Sequence, residues 1–136
     1  MDDNINQPKH YTQHPSGVEC INIAEHFGFN LGNAFKYLFR QGKKGASAED
    51  LQKALWYIKR SLEYEMPDAP LEAHVLENID AVLIHETGDV AFVMACIAWA
   101  GTLENDGDEN IPFKRVLGWA VGRLELMVEG VSHETR

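Results

Sequence analysis

NAFKYLFRQGKKG, residues 33–45, is the stretch from which the rest of the chain can be read. With Leu31 just ahead of it, Ala34, Phe35 and Leu38 complete an i, i+3, i+4, i+7 series, the period of a helix with one buried face. Asn33, Lys36, Tyr37 and Arg40 fall on the opposite face. Gly42 ends the helix, because glycine takes the left-handed conformation that closes helices. Lys43 and Lys44 then carry the positive surface into the turn. On pattern alone a solvated face is the commoner explanation of such a helix. The alternative is a surface that holds phosphate.

The same period recurs on both sides. Val18, Ile21, Ile23, Ala24 and Phe27 fit a short helix closed by Gly28, and Asn30 is the expected N-cap of the next one. Downstream, Ser47-Ala48-Glu49-Asp50 opens a helix with a cap residue and early acids. Leu51, Ala54, Leu55, Ile58 and Leu62 form its apolar stripe. Met66-Pro67-Asp68-Ala69-Pro70 is a break. A fourth helix is expected over about 71–86, with Val75, Leu76, Ile79 and Leu83 inside. VAFVMACIAWAG (90–101) is apolar all round and reads as a buried helix, too short to span a bilayer. ENDGDEN (104–110) is an exposed acidic loop, and a last helix covers about 112–129. No strand-like alternation and no internal repeat is present. The expected fold is all-α: a single-domain bundle of five to six helices behind an extended N-terminal arm. Its basic part is 8–66 and its acidic helical extension 67–136.

Composition narrows the function classes. The chain has 136 residues, 45% of them hydrophobic, enough for one domain with a real core. Its net charge is −9, but residues 1–60 sum to +2 and residues 61–136 to −11. Such asymmetry suits a local phosphate site and argues against binding duplex nucleic acid, which needs a broad cationic surface. Cys20 and Cys96 sit among apolar neighbours without C-x-x-C spacing and read as buried free thiols. No secretory signal and no membrane partner is expected, which points to a cytoplasmic protein.

The candidate chemistry clusters in three places. Lys53, Trp56, Tyr57 and Arg60 share a face of the helix after the basic turn. Consecutive helices joined by a short loop pack antiparallel, so this face and that of Lys36, Tyr37 and Arg40 can meet, with cations for phosphate and rings for a base. In PKHYTQHP (8–15), Lys9, His10, Tyr11 and His14 crowd a proline-flanked arm that anchors on the first helix or touches a ligand. Two histidines alone make a poor metal site. Glu77 and Asp80 lie at i, i+3, half of the carboxylate pattern of all-α triphosphate pyrophosphatases, but a solvated pair is the commoner explanation of such spacing. A Walker A loop is excluded, because it would need glycine at Tyr37 and serine or threonine at Lys44.

In their joint order, PKHY (8–11), GVECINIAEHFGFNLGNAFKYLFRQGKK (17–44) and EDLQKALWYIKR (49–60) resemble a small phage-encoded family long labelled a domain of unknown function (SaV-like). At least one member of that family is a nucleotide kinase that lacks a P-loop and phosphorylates deoxynucleoside monophosphates. The resemblance implies a phage protein of nucleotide metabolism, working in the host cytoplasm. Lys36, Arg40 and His10 would be its catalytic residues. Lys9, Tyr11, Asn33, Tyr37, Lys43, Lys44, Lys53, Trp56 and Tyr57 would bind the substrate. The expected partners are nucleotides and further copies of the chain. No covalently bound cofactor is expected. A nucleoside triphosphate would be the donor, and the need for Mg²⁺ stays open. A non-catalytic nucleotide binder and a Mg²⁺-dependent pyrophosphatase are the alternatives.

Overall fold

The computed structural model describes residues 14–40, 47–67, 69–86, 88–107 and 109–134, with the side chains of 47 and 131–134 left aside. Among these residues six helices and no strand are found: α1 (Ile21–Ala24), α2 (Phe29–Arg40), α3 (Ser47–Tyr64), α4 (Ala73–Leu83), α5 (Gly88–Thr102) and α6 (Ile111–Glu134). The fold is all-α, as the periodicity requires. The expected arm up to residue 13 and the basic turn at 41–46 lie outside the described residues.

Helices α2 and α3 form an antiparallel hairpin. Contacts descend along one helix as they climb the other, from Arg40–Asp50 through Tyr37–Tyr57 to Asn30–Glu65. The apolar stripe of α2 is fully inside: Leu31, Ala34, Phe35 and Leu38, joined by Phe39. On α3, Leu51, Ala54 and Ile58 are buried, whereas Leu55 and Leu62 only flank the core. Helix α6 packs across α3 and α5, burying Phe113, Val116, Leu117, Ala120 and Leu124. All of these belong to one apolar cluster with Val75, Ile79 and Val82 of α4.

The element boundaries differ from expectation for identifiable reasons. Helix α1 is four residues rather than ten. The backbone N–H groups of His26 and Phe27 turn back to residues 23 and 24, tightening the chain into a turn ahead of Gly28. Gly32 lets α2 cross α1 closely, since a Cβ there would lie 2.7 Å from the Ala24 carbonyl oxygen. Asn30 is not the N-cap of α2, which begins at Phe29. The Glu65 carboxylate, arriving from the end of α3, accepts from the Asn30 backbone N–H at 2.9 Å and from Asn30 Nδ2 at 3.2 Å. An anion is favourable at a helix N-terminus, and it takes over the cap. Helix α4 starts at Ala73, two residues later than expected, and the Leu71 N–H ahead of it donates to the Gly101 carbonyl at 3.0 Å.

Helix α5 is not buried on every side. Val93, Met94, Cys96, Ile97 and Ala100 face the core, but Ala95 is exposed and Trp99 keeps 53% of its surface. Within the acidic loop, Asn110 is buried at a φ of 43°. Its side chain accepts from the Asp106 N–H and donates to the Gly107 carbonyl, so the loop folds around it while Glu104, Asp106 and Glu109 stay outside.

Candidate functional site

Tyr37 is the centre of the cationic face. Lys36 Nζ stands 4.6 Å from its ring centroid, Lys53 Nζ 5.3 Å and Arg40 Cζ 5.9 Å. The ring stacks on Tyr57 at 5.8 Å with an interplanar angle of 12°, and Tyr57 meets Trp56 edge-on at 5.0 Å. Arg60 extends the group, over Trp56 at 5.6 Å and over Tyr64 at 4.3 Å. The hairpin thus brings together the two faces read separately from the sequence. Each ring attracts the cations that flank it, and Trp56 keeps 56% of its surface exposed.

Acids temper this charge. Glu49 pairs with Lys53 at 2.7 Å, a contact that lowers the Glu49 carboxyl and raises the Lys53 ammonium through their hydrogen bond. Asp50 belongs to the stretch EDLQKALWYIKR that carries the resemblance, but from sequence it was given only the part of an early helix acid and no place in the site. It is 97% buried by its 3% exposure, and its Oδ1 lies 3.9 Å from Arg40 Nε. That distance is too long for a hydrogen bond. Asp50 Oδ2 and Arg40 Nε are both shut from solvent without a hydrogen-bond partner. Only the antiparallel pairing of α2 with α3 sets residue 50 against residue 40.

Other predicted residues lie elsewhere. Asn33 Nδ2 donates to the Phe29 carbonyl at 2.8 Å, one turn back along α2. Lys9, His10, Tyr11, Lys43 and Lys44 fall outside the described residues. His14 is buried as a structural peg. Its Nδ1 accepts from Ser16 Oγ at 2.7 Å and from the Ser16 N–H at 3.1 Å, which places the ring proton on Nε2, donating to Glu86 at 3.0 Å. Its ring also stacks on Phe39 at 4.8 Å. Burial pushes the Cys20 thiol up to about 12 even though Lys36 and Arg40 pull it down, so it is no nucleophile near neutrality.

Among the described residues no group of three or more His, Cys, Asp or Glu side chains is placed to hold a metal ion. Glu77 and Asp80 both point outward from α4. A cleft of about 380 Å³ lies at the other end of the hairpin, lined by Phe27, Leu31, Glu65, Leu71 and Phe113 among others. Its charged wall is a carboxylate, which does not suit phosphate.

Residues 5–59 match the model of a family described as a protein of unknown function, DUF3310. The match ends inside α3, taking in Lys36, Tyr37, Arg40, Lys53, Trp56 and Tyr57 but not Arg60 or Tyr64, and covers about two-fifths of the chain. It supports the resemblance at the level of a family of unknown function. No curated protein and no solved structure matches the chain. No described helix is long and apolar enough to cross a membrane.

Proposed function

We propose that the α2–α3 face binds nucleotides and that the chain is a (deoxy)nucleoside monophosphate kinase without a P-loop, of the phage type implied by the sequence resemblance. The observation that carries the reading is the Tyr37 ring, with Lys36, Arg40 and Lys53 around it and Tyr57 stacked behind it. Phosphoryl transfer asks chiefly for positioned positive charge around the transferring group. Lys36, Arg40 and Lys53 supply that charge here, and Lys43 and Lys44 follow α2 in the sequence. Exposed Trp56, edge-on to Tyr57, offers a surface on which a base can stack. His10 is the candidate proton shuttle. A nucleoside triphosphate is the donor.

The test is turnover. Purified protein incubated with deoxynucleoside monophosphates and ATP is expected to form diphosphates. Lys36→Ala and Lys53→Ala each lower that rate by about 10- to 100-fold, the size of one lost charge-assisted contact. Stoichiometric nucleotide binding with no product would leave a binder in place of a kinase. Unchanged binding in both variants would remove the site itself.

A further inference from the structure

Helices α5 and α6 turn an unusual surface outward. The rings of Trp99 and Trp119 meet at a centroid distance of 5.8 Å, tilted by 56°, with 53% and 45% of their surfaces exposed. One heptad beyond Trp119, Leu126 is 64% exposed, and Ile111 is 50% exposed at the start of the helix. Large apolar side chains gathered this way mark interaction surfaces. Beside the tryptophans the floor is small: Ala95 is exposed, and Gly118 and Gly122 face open space. A glycine inside a helix is destabilising relative to alanine. At these two positions nothing within the chain requires one, because a Cβ would meet no atom within 4 Å. The charges at the border are partly matched already: Arg123 lies over Phe92 at 4.1 Å and bonds Asp89 at 2.8 Å.

The charge order along α6 selects the occupant. Ile111, Arg115, Gly118, Gly122, Glu125 and Glu129 recur at alternating spacings of four and three, one stripe of the helix. The stripe is basic at its beginning and acidic at its end. Laid antiparallel on itself about a twofold axis between Gly118 and Gly122, it sets Arg115 opposite Glu125 of a second copy, twice. Glu125 pairs with Lys59 at 3.6 Å and keeps 55% of its side-chain surface exposed, so it remains available. The same axis brings two Trp99–Trp119 pairs together at the centre, where aromatic anchors contribute most to binding. With 24 residues, α6 is about 36 Å long.

We infer that the α5–α6 face is the docking surface for a second copy of this chain, an isologous dimer with antiparallel α6 helices. The inference stands apart from the nucleotide reading, which uses the face of α2 and α3 around Tyr37. Sedimentation velocity on the full chain tests it. The wild type is expected to be a dimer at micromolar concentration, and Trp119→Ser, at an exposed position, weakens association by at least about tenfold. Arg115→Glu and Glu125→Arg each weaken it, and the two together restore it. That rescue is specific to this pairing and would not follow from adhesion through the tryptophans alone. A monomeric wild type, a Trp119→Ser variant that dimerises as before, or a double swap no better than the single ones overturns the inference. Circular dichroism of each variant confirms that the helices are retained.

Discussion

Arg40 illustrates how position alone misleads at the scale of one residue. Helical spacing puts it on the polar face with Lys36, which would make alanine at either position a harmless probe of binding. The structure leaves only 22% of the Arg40 side chain exposed and sets it against Asp50, whose carboxylate is sealed in the hairpin. Removing the guanidinium leaves a buried anion without its cation, a change that costs about 3 kcal/mol or more. Arg40→Ala is therefore expected to lower the unfolding free energy in urea by that amount, while Lys36→Ala leaves it within about 0.5 kcal/mol. Lysine at 40 keeps the charge and is the better probe of binding. Cys20 gives a second prediction. Its thiol is raised from 9.0 to about 12 in the folded chain, so above pH 9 the unfolded state releases a proton that the native state keeps. Stability is fully present below pH 9 and falls as pH rises from there towards 12. Cys20→Ala is expected to flatten that loss in urea titrations repeated across the alkaline range.

At the scale of elements, the helices were legible because burial writes its period into the sequence. Leu31, Ala34, Phe35 and Leu38 were read as inside and are. What was not legible arises from partners distant in sequence. The cap of α2 comes from Glu65, thirty-five residues beyond the Asn30 that receives it. Asp50 acquires its importance only from Arg40 across the hairpin. Trp99 belongs to a run that is apolar throughout, so periodicity could not say which of its sides lies outward. The cationic cluster was legible in part: that the two faces meet across an antiparallel pair was expected, but which cation reaches which ring, as Lys53 of α3 reaches that of Tyr37 on α2, was not. The Glu65 cap makes its own prediction. Glu65→Ala removes the acceptor for both Asn30 donors and is expected to cost about 1–2 kcal/mol. Glu65→Gln, which retains an acceptor oxygen, costs less; the difference is read from paired thermal melts.

For the whole molecule, the question is whether the basic hairpin is a unit to which the acidic half was added. The family match stops at residue 59, and the charge changes sign at nearly the same place. The packing does not divide there. Among the described residues, more than half of the buried apolar ones lie after residue 66, and they form one cluster with Phe35, Leu38 and Ile58. Helix α6 lies against α3, and Lys59 reaches across to Glu125 at 3.6 Å. The segment before α1 is pinned by the later half too, since buried His14 donates to Glu86 beyond α4. A hairpin with one short helix beside it cannot cover its own inner face, and small cores of that size are marginal even when complete. Residues 1–66 expressed alone are therefore expected to lack a cooperative thermal transition and to show poorly dispersed amide resonances. Adding residues 67–136 as a separate chain is expected to restore both. If the fragment melts cooperatively by itself, the acidic half is an addition and not part of the fold that holds the cationic face in place.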